Sequence, residues 1–282
     1  MLHLFPVYKK RLLFNSGLWL GFLALLILLY PEIPPMLLLL AGLVGVGVVM
    51  FMQYGCAITA HSRLLNLLYN ELNAESFITQ YAPLLNIPVK NAQLHLMLRL
   101  HMSNAYCALG RFDEAMELLA ATKPLPASKE QTTLFRFSIA SNLCYCAQQK
   151  NDLAAARKYL DELLAFKAQL EKLQESKPAK KRMTFSTVLN EQCMKFLETG
   201  KADVEYLKSQ VQGNNTQQLH RIVTSLWIAR VYLAENNRRE AQKLLERIVE
   251  LAPDLYPGQR AKELLNNLPE KNEKTEKHGK KA

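Results

Sequence analysis

The sequence predicts an all-α protein, with a two-span transmembrane helical hairpin followed by a cytoplasmic α-solenoid of about four helix pairs. Three observations carry that expectation. Two charge-free runs of nineteen residues, Leu12–Tyr30 and Met36–Tyr54, are separated only by Pro31–Pro35. Beyond them apolar residues recur at helical spacing between short polar turns. From about residue 90 to 269, a helix, a turn and a second helix with a small residue at a fixed place recur along the chain.

The front of the chain comes first. Nineteen residues at about 1.5 Å each cover about 28 Å, close to the hydrocarbon thickness of a bilayer. The connecting Pro31-Glu32-Ile33-Pro34-Pro35 cannot continue a helix, so spans 12–30 and 36–54 must run antiparallel. The long core, followed by prolines and a second apolar run, does not fit a cleaved signal peptide. Lys9, Lys10 and Arg11 precede the first span, the loop has no basic residue, and His61 and Arg63 follow the second. The positive-inside tendency then puts both termini in the cytoplasm, beneath the plasma membrane if the cell is bacterial. Gly17 with Gly21, and Ala41 with Gly45, repeat the small-xxx-small spacing that lets helices approach closely. They either pack the two spans on each other or form the seam of a homo-oligomer. Neither span holds an ionisable residue, which argues against an ion pathway.

The remaining boundaries follow from pattern. Residues 1–11 form a basic N-terminus, 12–54 the hairpin, 55–89 juxtamembrane helices, 90–269 the repeat domain and 270–282 a disordered basic tail. His61–Leu85 carries two amphipathic stretches divided at Asn73, a plausible N-cap; they lie on the membrane surface or cap the first hairpin of the stack. In the first pair, Asn91–Leu109 is a helix, Gly110 and Arg111 turn the chain, and Phe112–Lys123 is a second helix. Ala140–Leu160 repeats the plan around Lys150–Asp152, and Ser128 with Gln131 reads as a capping box ahead of it. Phe185–Val211 is a weaker copy turned at Gly200, and Ser225–Pro253 a clear one.

This pattern resembles the tetratricopeptide repeat family. Ser103, Tyr106, Gly110, Ala115 and Leu119 match its unit in the first pair, and Ala229, Tyr232, Ala241, Leu245 and Pro253 in the last. Arg99 and Ser225 depart from it, and Ala115 to Ala156 is 41 residues, longer than the usual unit. The resemblance implies a scaffold that binds a peptide or helix of a protein partner in its concave face, lined by the first helix of each unit. By position the groove candidates are Met97, Asn104, Tyr145, Asn190, Trp227 and Arg230. Asn104 matches the asparagine of the family's carboxylate clamp, but Leu100 stands where its lysine should be, which argues against such a clamp. Trp227 is either an interface anchor or core.

Charge and cysteine usage exclude other classes. Of the net +10, residues 1–54 carry +2, 171–182 carry +3 and 270–282 carry +2, leaving a nearly neutral remainder. A folded face built for phosphate backbone needs clustered Lys and Arg. Nucleic acid or anionic lipid therefore enters only as an alternative partner, through the basic loop 171–182 and the tail. The five cysteines sit in apolar helical patterns and read as free thiols of a reducing compartment. No phosphate loop, HExxH, nucleophile elbow or metal-ligand spacing occurs. The expectation is no enzyme, no cofactor, no catalytic residue and no metal.

Overall fold

The computed structural model describes residues 9–30, 34–123, 126–172, 177–212 and 216–268. The expected basic N-terminus before Lys9, most of the turn between the two apolar runs, and the tail 270–282 lie outside the described residues, as does 173–176 of the basic loop. Among the described residues all regular structure is helical: α1 (Lys9–Leu29), α2 (Pro35–Tyr69), α3 (Ala74–Leu85), α4 (Ala92–Ala108), α5 (Phe112–Ala120), α6 (Lys129–Gln149), α7 (Leu153–Glu171), α8 (Lys177–Thr199), α9 (Val204–Val211), α10 (Gln218–Ala234), α11 (Arg238–Leu251) and α12 (Tyr256–Asn266).

Helices α3, α4, α6, α7 and α9 start where side-chain oxygens accept orphan backbone N–H groups. Asn73 accepts from Ser76 N, Asn91 from Leu94 N, Asp152 from Ala155 N and Asp203 from Tyr206 N. Ser128 and Gln131 form the reciprocal capping box. Helices stop in a way that makes the repeat visible in the backbone. One residue with positive φ sits in each turn from a first to a second helix: Leu72 (60°), Gly110 (76°), Asn151 (58°), Gly200 (71°) and Asn236 (63°). After three of these turns the same bond recurs: Arg111, Asp152 and Asn237 donate their N–H to the carbonyls of Tyr106, Ala147 and Tyr232. That is the hydrogen bond of a helix ended by a left-handed residue. Five helix pairs therefore share one turn, α2–α3 among them, and α12 follows the last.

Packing fixes the pairs where the repeat pattern puts small residues. Ala115, Ala156 and Ala241 are fully buried, and Leu119, Leu160 and Leu245 nearly so. One apolar core joins the two ends of the stack: Leu68 of α2, Phe77 of α3 and Leu98 of α4 share it with Leu226 of α10, Leu245 of α11 and Ala261 of α12. A second core holds α6, α7 and α8. Tyr256 of α12 stands edge-on to Phe112, with ring centroids 4.8 Å apart. The solenoid thus closes on itself rather than ending in open faces, because each terminal pair covers the other's apolar side.

Helix α2 does not end at Tyr54. It runs 35 residues without interruption, and its C-terminal part, from Ala57 through Tyr69, is the first helix of the stack. Within His61–Leu85, Leu64, Leu68, Phe77 and Tyr81 share a core with Leu98 and Met102 of α4. Upstream, α2 exposes large apolar side chains such as Leu39, Leu43 and Phe51. Among the described residues one helix, Leu39–Tyr69, is long and apolar enough to cross a bilayer, with mean hydropathy 1.8; Ser16–Leu28 is a shorter apolar stretch. Gly17, Gly21, Ala41 and Gly45 line a shallow groove between α1 and α2. The Phe22 ring lies over Gly45, where a Cβ would run into it, whereas a Cβ on Gly17 or Gly21 would meet nothing within 4 Å.

Two measurements check this account. Gly110→Ala forces a side chain into left-handed backbone and brings its Cβ within 2.9 Å of the Tyr256 ring, while Gly200→Ala meets only the backbone strain. Strain of this kind costs about 1 kcal/mol. Chemical denaturation should find Gly200→Ala destabilised by about 1 kcal/mol and Gly110→Ala by clearly more. The second concerns His101, whose ring Nδ1 bonds Tyr69 Oη at 2.7 Å. Burial, then the neighbouring His61, pushes its pKa down to about 4. The unfolded chain therefore takes up that proton first, near pH 6.5, and stability is full above that pH and lost as pH falls toward 4. Burial lowers His95 and His220 in the same direction. Thermal melts at pH 7.5 and 5 should show a clear loss for the wild type and a smaller one for His101→Gln.

Candidate functional site

The first helices of the pairs converge. Since consecutive helices fold back on one another, α4, α6 and α8 run parallel, side by side, and α10 completes the wall. They surround a cavity of about 950 Å³, roofed in part by α9 and by Tyr69 of α2. Four of the six groove candidates line it: Asn104 of α4, Tyr145 of α6, Asn190 of α8 and Trp227 of α10. Arg230 sits one turn beyond Trp227 and backs it. Met97 lies two turns before Asn104 on the same helix face and is not part of the lining.

The cavity wall is polar yet uncharged. Asn104 Nδ2 donates to Tyr69 Oη at 2.9 Å, tying the wall to α2. Asn190 Nδ2 donates to Ser141 Oγ at 3.2 Å and to the Ser186 carbonyl at 2.9 Å, while Ser141 and Ser186 hydroxyls bond each other. Gln148 Nε2 donates to the Asn190 carbonyl at 2.9 Å. Gln148 Oε1 is buried and accepts no hydrogen bond from the described residues. A buried carboxamide oxygen without a donor is costly, by about 1–3 kcal/mol.

The floor is aromatic and sulfur-rich. Burial raises the Tyr145 phenol well above its usual pKa, and the nearby Cys107, Cys146, Tyr256 and Cys193 add to that, so it stays a neutral donor. Cys107 Sγ and Cys146 Sγ lie 3.3 Å apart as free thiols between α4 and α6. Arg230 places its guanidinium carbon 4.2 Å from the Trp227 ring centroid and 5.3 Å from that of Phe196. Burial lowers its pKa. Among the described residues no carboxylate forms an ion pair with it. Trp227 itself is 2% exposed, so it is core and cavity wall at once.

Sequence reasoning missed Ser141, Asn142, Gln148, Ser186 and His220, all in the lining. A signal was present. Ser141 and Gln148 are seven apart, Ser186 and Asn190 four apart, so each pair interrupts the apolar stripe of its helix with polar groups on one face.

Arg230 supplies a stability test of the site. Stacking on two rings contributes about 1 kcal/mol, whereas burying a cation without a carboxylate costs more than that. Arg230→Met keeps the length and the packing but not the charge. It should raise the midpoint of thermal unfolding, while Arg230→Ala lowers it by opening a cavity beside Trp227. A lower midpoint for Arg230→Met would mean the charge has a stabilising partner.

Comparison with known proteins agrees with the geometry in one place. Residues 224–254 match the model of the tetratricopeptide repeat, which covers most of α10 and all of α11. No curated protein and no solved structure matches the chain. The match makes the α10–α11 pair tetratricopeptide-like within an all-helical architecture, and repeats of that kind generally bind other proteins.

Proposed function

We propose that this chain is a membrane-anchored, non-enzymatic docking protein whose closed repeat domain holds an extended segment of a protein partner in the cavity between α4, α6, α8 and α10. The observation that carries it is the set of carboxamides on the wall: Asn104, Asn142, Gln148 and Asn190 come from three neighbouring helices. A carboxamide both donates and accepts, which is what successive N–H and C=O groups of an extended backbone require. An extended segment fits better than a helix, which at about 10 Å across would fill 950 Å³ within about two turns.

Anchoring is part of the same reading. The apolar half of α2, with α1 packed beside it, crosses the membrane as the second and first spans, and both termini are cytoplasmic. Holding the cavity at the membrane raises its effective concentration toward partners confined to the same surface.

A photo-crosslinking residue at Asn142 in the full chain, expressed in cells, tests the docking half. It should yield a discrete protein adduct that falls about tenfold when Ser186→Trp fills the cavity. The same probe at Gln242, on the exposed side of α11, should not give that adduct. Equal adducts at both positions, or none at Asn142, would overturn the reading. Retention in the membrane pellet under alkaline carbonate checks the anchor separately.

A further inference from the structure

The two ends of the stack differ in charge in a way that capping does not explain. Consecutive helices alternate in direction from α2 to α8, so the connections fall into two sets. At the end where the apolar half of α2 leaves the domain lie the links into α4, α6 and α8; the links into α3, α5, α7 and α9 lie at the far end. Taking each link with the first turn of the helix it feeds, these four far-end links carry seven acidic residues (Glu71, Glu75, Asp113, Glu114, Asp152, Asp203, Glu205) against three basic. That is ordinary: acids belong at helix N-termini, where backbone N–H groups point outward. The end nearest α2's apolar half has the same kind of helix starts and the opposite charge. Among the described side chains, Lys90, Lys123, Lys129 and Lys172 stand there against Glu130 alone.

The caps agree. Both side-chain caps at this end, Asn91 and Ser128, are neutral, whereas of the three at the far end Asp152 and Asp203 are acidic and only Asn73 is neutral. Neither α4 nor α8 has an acid in its first turn. Lysines at the positive ends of helices oppose the fold's own electrostatics, so what favours them is outside the domain. A second, independent feature points the same way. The apolar stretch of α2 emerges from this end of the stack, and 6% of its most apolar window is buried. The lateral ties are direct: His61 of α2 lies against His101 of α4, Cys107 of α4 against Cys146 of α6, and Ser141 of α6 against Ser186 of α8. By these ties the start of α8 is level with the start of α4, and both with the stretch of α2 where burial begins at Ala57.

We infer that this end of the stack is a docking surface for an anionic phospholipid bilayer, with the starts of α4, α6 and α8 set against the headgroups beside the emerging helix. The inference rests on the anchored reading above. It adds that the domain stands on the membrane in one orientation rather than hanging from it. Helix N-termini and lysines attract the same anion, and each basic residue near such a surface strengthens the attraction by on the order of fivefold. The acidic far end is repelled, which fixes the orientation.

Hydrogen exchange on the full chain in lipid nanodiscs tests it, with phosphatidylcholine alone compared with phosphatidylcholine containing phosphatidylglycerol. Amides in the first turns of α6 and α8 should exchange about fivefold or more slowly in the anionic discs, and 0.5 M salt, where the Debye length falls to about 4 Å, should abolish the difference. The combined variant Lys90→Glu, Lys123→Glu, Lys129→Glu, Lys172→Glu should enter discs as the wild type does and show no lipid-dependent protection. Equal exchange in both lipids, protection indifferent to salt, or protection conferred on phosphatidylcholine discs by added RNA instead of by lipid would overturn the surface while leaving the anchor standing. A chain that fails to enter discs and washes off membranes in alkaline carbonate would remove the anchor and the surface with it.

Discussion

Closure is the constraint on which the rest of the structure depends. A helix pair with a short turn buries only one side of each helix, so a row of pairs ends in two uncovered apolar faces. Here Leu226, Leu245 and Ala261 from the last helices fill the same core as Leu68, Phe77 and Leu98 from the first. The row bends round until its ends meet. What would be an open groove becomes a cavity walled by α4, α6, α8 and α10, and its lining must then be polar by design or filled. Ser141, Asn142, Gln148, Ser186 and Asn190 keep it polar.

Closure also explains the role of α2. Its C-terminal half contributes Leu64, Leu68 and Tyr69 to the shared core, and its N-terminal half exposes Leu39, Leu43 and Phe51. The two environments belong to one uninterrupted helix, so there is no linker whose flexibility could decouple them. Thr59 bonds the Gly55 carbonyl across the junction, and the helical hydrogen-bond pattern continues through it. Whatever holds the apolar half therefore sets the direction in which the cavity and the charged ends face. Placement comes from a rigid rod sharing a core with the domain it carries.

Much of this was legible in the sequence, and the parts that were not share a cause. Helix content, the four pairs beyond residue 90, the Ser128 capping box and the N-cap at Asn73 follow from local rules, because spacing and side-chain chemistry act over a few residues. The fifth pair, α2–α3, was hidden: its turn residue with positive φ is Leu72, where the motif asks for glycine or asparagine. Asn151 and Asn236 occupy the same place in turns whose flanking helices carry the repeat's small residues, Ala156 and Ala241, which made those pairs legible. The run 36–54 read as ending at Tyr54 because apolar composition falls there, although nothing in Gln53–Cys56 breaks a helix. Closure itself is a contact between residues nearly two hundred positions apart, and no periodicity encodes it. Asn104, Tyr145, Asn190 and Trp227 were reachable because first helices face inward in any such stack. Their common cavity was not, since it depends on α10 and α12 coming round to meet α2 and α4.

The electrostatics of the cavity and of the outer surface then separate into two tasks. Inside, neutral groups dominate, with carboxamides, hydroxyls and a phenol kept protonated by burial. Arg230 stands behind Trp227, outside the lining, and is held by ring faces rather than by a carboxylate. A neutral wall gives little long-range pull, so a partner segment is selected by hydrogen-bond register and shape. Outside, charge is sorted by end of the stack, where it acts over a Debye length of about 8 Å at physiological salt and needs no shape. Long-range forces can therefore orient the domain without competing with recognition, and short-range ones can recognise a segment without disturbing the orientation. A charged lining would have coupled the two, because every change of surface potential would also have changed the affinity of the cavity.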